Sequence, residues 1–309
     1  MKKETFTFES RDGQHKLYAV RYLPEEAPKA VFQIVHGMAE HVERYEALAA
    51  FLTGRGYLVT GEDHLGHGHS VTENDTFGYF CEQDPATVVV RDVHRLKKMT
   101  QEEFPGIPYF ILGHSMGSYI LRNYLCRYGS GIDGAIIMGT GTESRSAVEA
   151  VSLLAGCLKL IYGDRHVSRL LTGLAMGDYK KRIPNPRTQS DWLSRDPAVV
   201  DAYMKDPLCG KPFTVNGYRT MLELVLRLYK PENLEKIPKE LPILIVSGEE
   251  DPVGDYGSGV KKAYDSLLNA GLGNIRLKLY PGDRHEILNE PDRREVYEDI
   301  AEWLDGILQ

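Results

Sequence analysis

Gly113-His114-Ser115-Met116-Gly117 sets a serine between two glycines, each two residues away. An apolar run, 108–112, leads into it and a helix-patterned run follows. The serine therefore falls at a sharp strand-to-helix turn. Such a turn holds its central residue in a strained backbone conformation, and the flanking glycines let strand and helix approach closely. The hydroxyl then projects above the strand ends while the helix directs its first amides at the same point. This is the setting of a nucleophile.

A serine hydroxyl is a weak nucleophile at neutral pH and needs a base within hydrogen-bond reach. In serine nucleophiles of this strand–turn–helix kind, an acid and then a histidine follow along the chain. Two histidines follow Ser115, His166 and His285. His166 stands in the polar string GDRHVSR, which reads as surface. His285 stands in YPGDRHEIL, on a loop between the last strand and the last helix, where the base belongs. The acid should lie just past the preceding strand, PILIVSG. Of Glu249, Glu250, Asp251 and Asp255, we select Asp251, whose backbone is held extended by Pro252. Its task is to hold the tautomer of His285 and to stabilise the imidazolium formed during attack.

A developing oxyanion also needs donors. The backbone N–H of Met116, directly after the nucleophile, supplies one. The other is expected from the backbone N–H of Met38, in the loop His36-Gly37-Met38-Ala39-Glu40-His41 after strand 30–35. A second chemistry is suggested by Asp63-His64-Leu65-Gly66-His67-Gly68-His69-Ser70, because imidazoles at H-x-x-H-x-H spacing ligate zinc. No downstream cluster completes that ligand set, and Ser115, Asp251 and His285 need no Lewis acid. The expectation is no metal, no cofactor, and a glycine-rich loop at the rim of the site.

The elements that must position these groups follow from periodicity. Segment 5–9 and segment 16–23 alternate around Asp12-Gly13 and predict a β-hairpin. Strands at 30–35, 57–62, 108–113 and 134–139 then alternate with helices at 43–54, 85–104 and 117–128. The rhythm resumes with strands 242–248 and 275–280 and helices 257–270 and 291–308. The strands are apolar throughout rather than alternating, as in a parallel sheet with helices on both faces. The fold class is therefore α/β, with a mostly parallel central sheet. Strand signals stop between about 142 and 229, where 148–162 and 167–176 have helical length and an apolar surplus. We expect a mainly helical cap inserted between core segments 1–141 and 230–309. Leu153, Leu154, Leu170 and Leu171 are expected to form its apolar wall above Ser115.

Composition narrows the class. The chain has 309 residues, 42% hydrophobic and 26% charged, which fits a globular protein rather than a disordered one. A net charge of -7 argues against a nucleic-acid partner, since the phosphate backbone selects clustered Lys and Arg. Lys180-Lys181-Arg182, the densest basic run, reads as a solvated turn. The cysteines Cys81, Cys126, Cys157 and Cys209 form no CxxC pair and read as free thiols of a reducing compartment. MKKETFTFES has no apolar run behind its lysines, and no stretch is apolar for the length of a bilayer span. A cytoplasmic protein is expected.

Taken together, HGMAEHVERYEALAAFLTGRGYLVTGEDHLGHGHS, GHSMGS, DWLSRDP, SGEEDPV and RHEILNE resemble the motif blocks of bacterial lysophospholipases and monoacylglycerol lipases, within the α/β-hydrolases. The resemblance spans nearly the whole chain and is loosest at about 144–181. It implies the α/β-hydrolase fold and places the family's serine, aspartate and histidine on Ser115, Asp251 and His285. It also implicates Glu40 and Arg44 in binding a polar headgroup, and the cap in receiving the acyl chain. Relatives usually carry arginine where this chain has Leu65. The implied activity is hydrolysis of monoacyl lipid esters, and a lipid-like substrate is compatible with transient contact of the cap with a membrane surface. The alternatives are a peptidase or amidase of the same fold, or a binding protein without catalysis.

Overall fold

The computed structural model describes residues 1–176 and 179–309. In chain order its elements are β1 (Lys2–Glu9), β2 (Lys16–Leu23), β3 (Ala30–Val35), α1 (Glu46–Thr53), β4 (Tyr57–Glu62), α2 (Pro85–Glu103), β5 (Tyr109–His114), α3 (Met116–Tyr128) and β6 (Gly134–Met138). Helices α4 (Arg145–Tyr162), α5 (Arg169–Met176), α6 (Pro197–Lys205), α7 (Val215–Leu228) and the single turn α8 (Pro231–Leu234) come next. The chain closes with β7 (Ile243–Gly248), α9 (Ser258–Asn269), β8 (Ile275–Tyr280) and α10 (Arg293–Leu308).

The eight strands form one sheet in the order β1-β2-β4-β3-β5-β6-β7-β8. β1 and β2 pair antiparallel with each other, β2 pairs antiparallel with β4, and all other neighbours run parallel. Each of β3 to β7 is buried along its whole length. Alternate residues serve two cores. Val31, Val35, Ile111, Ile137 and Ile245 face α2, α3 and α9 through Val93, Leu96, Ile120, Leu121 and Val260. Phe32, Ile34, Phe110, Leu112, Ile136 and Val246 face α1 and α10 through Leu48, Leu52, Ile300 and Leu304. A one-residue shift would exchange the faces of a whole strand, so this double alternation sets the register. The expected α/β-hydrolase sheet is the sheet observed.

Several elements differ from their sequence-based bounds, two of them for reasons that pairing and packing show. β1 begins at Lys2, because β2 offers partners as far as Leu23; its alternating charged side chains suit an exposed edge. The expected helix 43–54 divides into a 3-10 turn over Val42–Tyr45 and α1. Tyr45, at φ -93° and ψ 8°, leaves the helical path, and the side chains of Arg44 and Tyr45 both reach Glu40.

The sheet changes winding direction at β3, which has β4 on one side and β5 on the other. The crevice at the carboxyl ends of those strands is where such folds place ligands. The loop His36–His41 and Ser115 both lie there. Between Met138 and Ile243, no strand occurs among the described residues. Helices α4 to α7 fill this interval, and α7 packs on α2, α3 and α4. Side-chain caps start three of them: Ser144 accepts from Ala147 N at 3.4 Å, Asp196 from Ala198 N at 2.9 Å, and Thr214 from Gly217 N at 3.2 Å.

Candidate active site

Ser115 sits at φ 53° and ψ -120°, a backbone region that a serine enters only when the surrounding fold imposes it. Its N–H donates to the Met138 carbonyl at 3.0 Å and its carbonyl accepts from Ser118 N at 2.9 Å. The flanking glycines are sterically required. A Cβ on Gly117 would overlap the Val35 carbonyl, and one on Gly113 would overlap the Gly117 carbonyl.

His285 and Asp251, which are 34 residues apart, meet at the carboxyl ends of the sheet. Nδ1 of His285 lies 2.9 and 3.0 Å from the two carboxylate oxygens of Asp251. Both side chains are buried. Asp251 also accepts from Ser247 Oγ at 3.1 Å and from Val253 N at 2.9 Å. Burial pushes its carboxyl up, but His285 and these donors outweigh it and hold the group below the ordinary carboxylate value. Ser115 and His285 line one cavity, whereas Glu249 and Glu250 are exposed and lie outside it.

The loop after β3 is tied down by a carboxylate. Glu40 Oε1 accepts from Gly37 N at 2.6 Å and from Tyr45 OH at 2.8 Å, and lies 3.2 Å from His114 Nδ1. Its Oε2 accepts from Arg44 at 2.8 Å. Burial opposes its charge, yet His114 and Arg44 hold it well below the usual range. Within this loop, Met38 lines the cavity and Ala39 has φ 57°. Met116 is the first residue of α3, so its N–H has no partner within the helix. Arg44 lies outside the cavity lining; its guanidinium grips both carboxylate oxygens of Glu286 at 2.6 and 2.7 Å.

Several groups at the site have no separate signal in the sequence. His114 lies with its ring centre 4.7 Å from that of His285, its Nε2 3.3 Å from the His285 carbonyl oxygen. A chain of contacts therefore joins Glu40 to the histidine loop through His114. Trp192 stacks 5.0 Å from His285. Its carbonyl and that of Leu193 accept from His285 N at 3.4 Å and Glu286 N at 2.7 Å. Arg284 donates to the carbonyls of Asp191 and Ser194 at 2.6 and 3.1 Å. The DWLSRD stretch thus clamps the loop that bears His285.

Two expectations change and one is extended. The histidine-rich loop is interior, not rim: His64 and His67 are buried and the ring of His36 stacks 4.1 Å from that of His64. Burial pushes His36 down to about 3 and also lowers His64 and His67, so these rings are neutral packing groups. Asp63 closes the loop by accepting from Val42 N and His69 N, both at 2.8 Å. Next, Lys181 and Arg182 are exposed in a turn, as expected, and in addition line the cavity; Arg182 lies 3.8 Å over the ring of Tyr256. Finally, of the four leucines expected to form the wall, Leu171 lines the cavity, while Leu153 and Leu170 are 73% and 54% exposed. Leu154 packs against the core. Helix rotation places Val148 and Val151 of α4, and Leu174 and Met176 of α5, in the wall instead.

The cavity measures about 880 Å³ and combines Ser115, His285, Met38 and Glu40 at one side with apolar groups of α4, α5 and α7 at the other. The serine aminopeptidase S33 family, Hydrolase_4, matches residues 26–292, and the chain belongs to this family of α/β-hydrolases. It is 30% identical to the monoacylglycerol lipase of Mycolicibacterium smegmatis over 96% of this chain and 95% of that protein. It is 31% identical to the monoglyceride lipase of Homo sapiens over 95% of this chain and 88% of that protein. A thermostable carboxyl esterase from Bacillus coagulans, solved in complex with glycerol, superposes with a TM-score of 0.93 at 32% identity, with both chains fully covered. No helix among the described residues is long and apolar enough to cross a membrane.

Proposed function

We propose that this carboxylic-ester hydrolase cleaves monoacyl lipids, such as monoacylglycerols or lysophospholipids, through an acyl-enzyme on Ser115. The observation that carries the reading is the shared cavity: Ser115 and His285 line it together with the apolar side chains Val148, Val151, Leu171, Leu174 and Met221.

In this mechanism Ser115 Oγ attacks the ester carbonyl carbon as its proton passes to His285 Nε2. Asp251 stabilises the resulting imidazolium through Nδ1. The carbonyl oxygen, now negative, is held by the N–H groups of Met38 and Met116. Collapse breaks the bond to the alcohol, which leaves with the proton of His285. Water then attacks the acyl-enzyme, giving its proton to His285, and the second collapse frees the fatty acid and returns the proton to Ser115. Glu40, Arg44 and Glu286 act from behind, holding the loop that carries Met38.

Segment 142–229 serves in this reading as the cap that receives the acyl chain. Its outer face exposes Leu153, Leu160, Ile161 and Tyr162, an apolar surface suited to aggregated lipid. A peptidase reading needs an open carboxylate for a free amine; Glu40 is committed to Gly37, Tyr45, His114 and Arg44, while Glu143 and Asp255 also line the cavity, so the choice of substrate class falls to experiment. A screen over p-nitrophenyl esters, monoacylglycerols, lysophospholipids and aminoacyl anilides tests the proposal. Monoacyl lipids should be preferred, and Ser115→Ala should lose both turnover and fluorophosphonate labelling. Faster anilide turnover, or a labelled Ser115→Ala protein, would overturn it.

A further inference from the structure

The loop after β3 and the segment after α6 converge on a second group of chemically competent side chains. We infer that His41, Asp206 and Cys209 bind one thiophilic divalent cation of the zinc class, joining the catalytic core to the helical cap. One ligand atom from each of the three lies within 4.8 Å of the others. Ligands at zinc distances in a tetrahedral site stand roughly 3.3–3.8 Å apart, so small rotamer changes suffice. Nitrogen, carboxylate oxygen and sulfur are a donor set that zinc accepts, with water as the fourth ligand.

Burial adds an independent reason. His41 is 7% exposed and Cys209 is 6% exposed. Nε2 of His41 lies 2.9 Å from Asp206 Oδ2, yet its Nδ1 is buried without a hydrogen-bond partner among the described residues. Nε2, the ring nitrogen that faces Asp206, is the one placed to take the cation. The carboxylate and a thiolate together balance the charge of a divalent ion. As the Sγ–metal bond forms, the Cys209 thiol loses its proton to solvent.

The frame is already in place. Leu208 N donates to Asp206 Oδ1 at 2.8 Å and Cys209 N donates to the Asp206 carbonyl at 3.2 Å, closing the turn that carries two ligands. Gly210 N and Tyr203 OH both donate to the Ala39 carbonyl, at 2.9 and 3.1 Å, holding that turn beside His41. None of the three ligands lines the cavity of Ser115, so the ion acts as a staple and takes no part in the ester chemistry. His41 also approaches Glu43 and His69. That alternative lacks sulfur, and His69 Nδ1 is already placed 3.3 Å from Asp63.

Titration of the metal-free full-length protein with Zn²⁺, followed by calorimetry and thermal melting, tests the site. One ion per chain should bind and raise the melting temperature. Co²⁺ should produce a thiolate-to-metal charge-transfer absorption. Cys209→Ser and Asp206→Asn should each weaken binding at least tenfold, and Cys209→Ser should abolish the absorption. His69→Gln and Glu43→Gln should bind like the parent, and the unliganded melting curves of all four variants report whether each has folded. Absence of saturable binding by the parent overturns the proposal. So does unchanged binding by folded Cys209→Ser, or binding lost in His69→Gln but kept in Cys209→Ser.

Discussion

At the scale of single residues, the proposed mechanism makes Asp251 a tautomer holder rather than a proton carrier. Asp251→Asn keeps the shape and still accepts from Val253 N, but it favours the wrong His285 tautomer. We expect kcat to fall on the order of 10³–10⁴-fold while the melting temperature stays close to the parent's. Steady-state kinetics on p-nitrophenyl butyrate and a thermal melt check both halves, and a near-native kcat would remove Asp251 from the catalytic role. The nucleophile was legible in the sequence because its geometry is local: a strand, two glycines and a helix within a few residues. The partners of Glu40 were not. His114 reaches it from β5, while Glu286 holds Arg44 from the β8–α10 loop, and no spacing rule links residues brought together only when β3, β5 and that loop align.

At the scale of elements, the proposed function assigns acyl selectivity to the inward faces of α4 and α5. Burying each methylene of the substrate contributes about 0.8 kcal/mol at most, so kcat/KM should climb several-fold per two carbons until the wall is covered. Val148→Ser and Leu171→Ser should flatten that climb for long esters and leave acetate esters nearly unchanged. Leu153→Ser and Leu170→Ser should leave the chain-length profile of soluble esters as it is, because both side chains face outward. A chain-length series of p-nitrophenyl esters decides the matter. Equal losses on short and long esters in Val148→Ser would assign that residue to packing alone. The apolar surplus of these helices was visible in the sequence; which face pointed to Ser115 was not. Both faces are apolar, and only packing against α7 and the core selects between them.

For the whole molecule, two responses to solution conditions follow. Ester turnover should survive exhaustive chelation, since the proposed mechanism draws every catalytic group from the chain. Activity lost on chelation and restored by Zn²⁺, with the melting curve unchanged, would require a metal in the reaction itself. The second response concerns pH. Burial, with Asp92 adding repulsion, pushes Glu62 up from 4.5 to about 8. Asp92, where Ser10 and Arg11 N anchor the hairpin, is likewise pushed up, to about 7. Both folded-state values lie above those of the unfolded chain, so the folded protein binds more protons across this window. The contribution of these two groups to stability is therefore fully present below the ordinary carboxylate range and is lost as pH rises through about 8. Glu62→Gln removes one of these titrations. Its melting temperature should fall less than the parent's between about pH 6 and about pH 9, and parallel curves would show that Glu62 does not govern the decline.

Read by itself, the sequence determined the parallel sheet, the position of Ser115, and the chain order that singled out Asp251 and His285. These rest on local periodicity and on turns whose steric demands only certain residues meet, and neighbouring residues carry that information. The tertiary structure alone decided that His64 and His67 are buried against His36, that Arg44 pairs with Glu286, and that Lys181 and Arg182 border the cavity. It alone brought His41 beside Asp206 and Cys209, 165 residues away at the closest pair. Burial and long-range contact depend on how elements pack, and packing is a property of surfaces that the linear order of residues does not state.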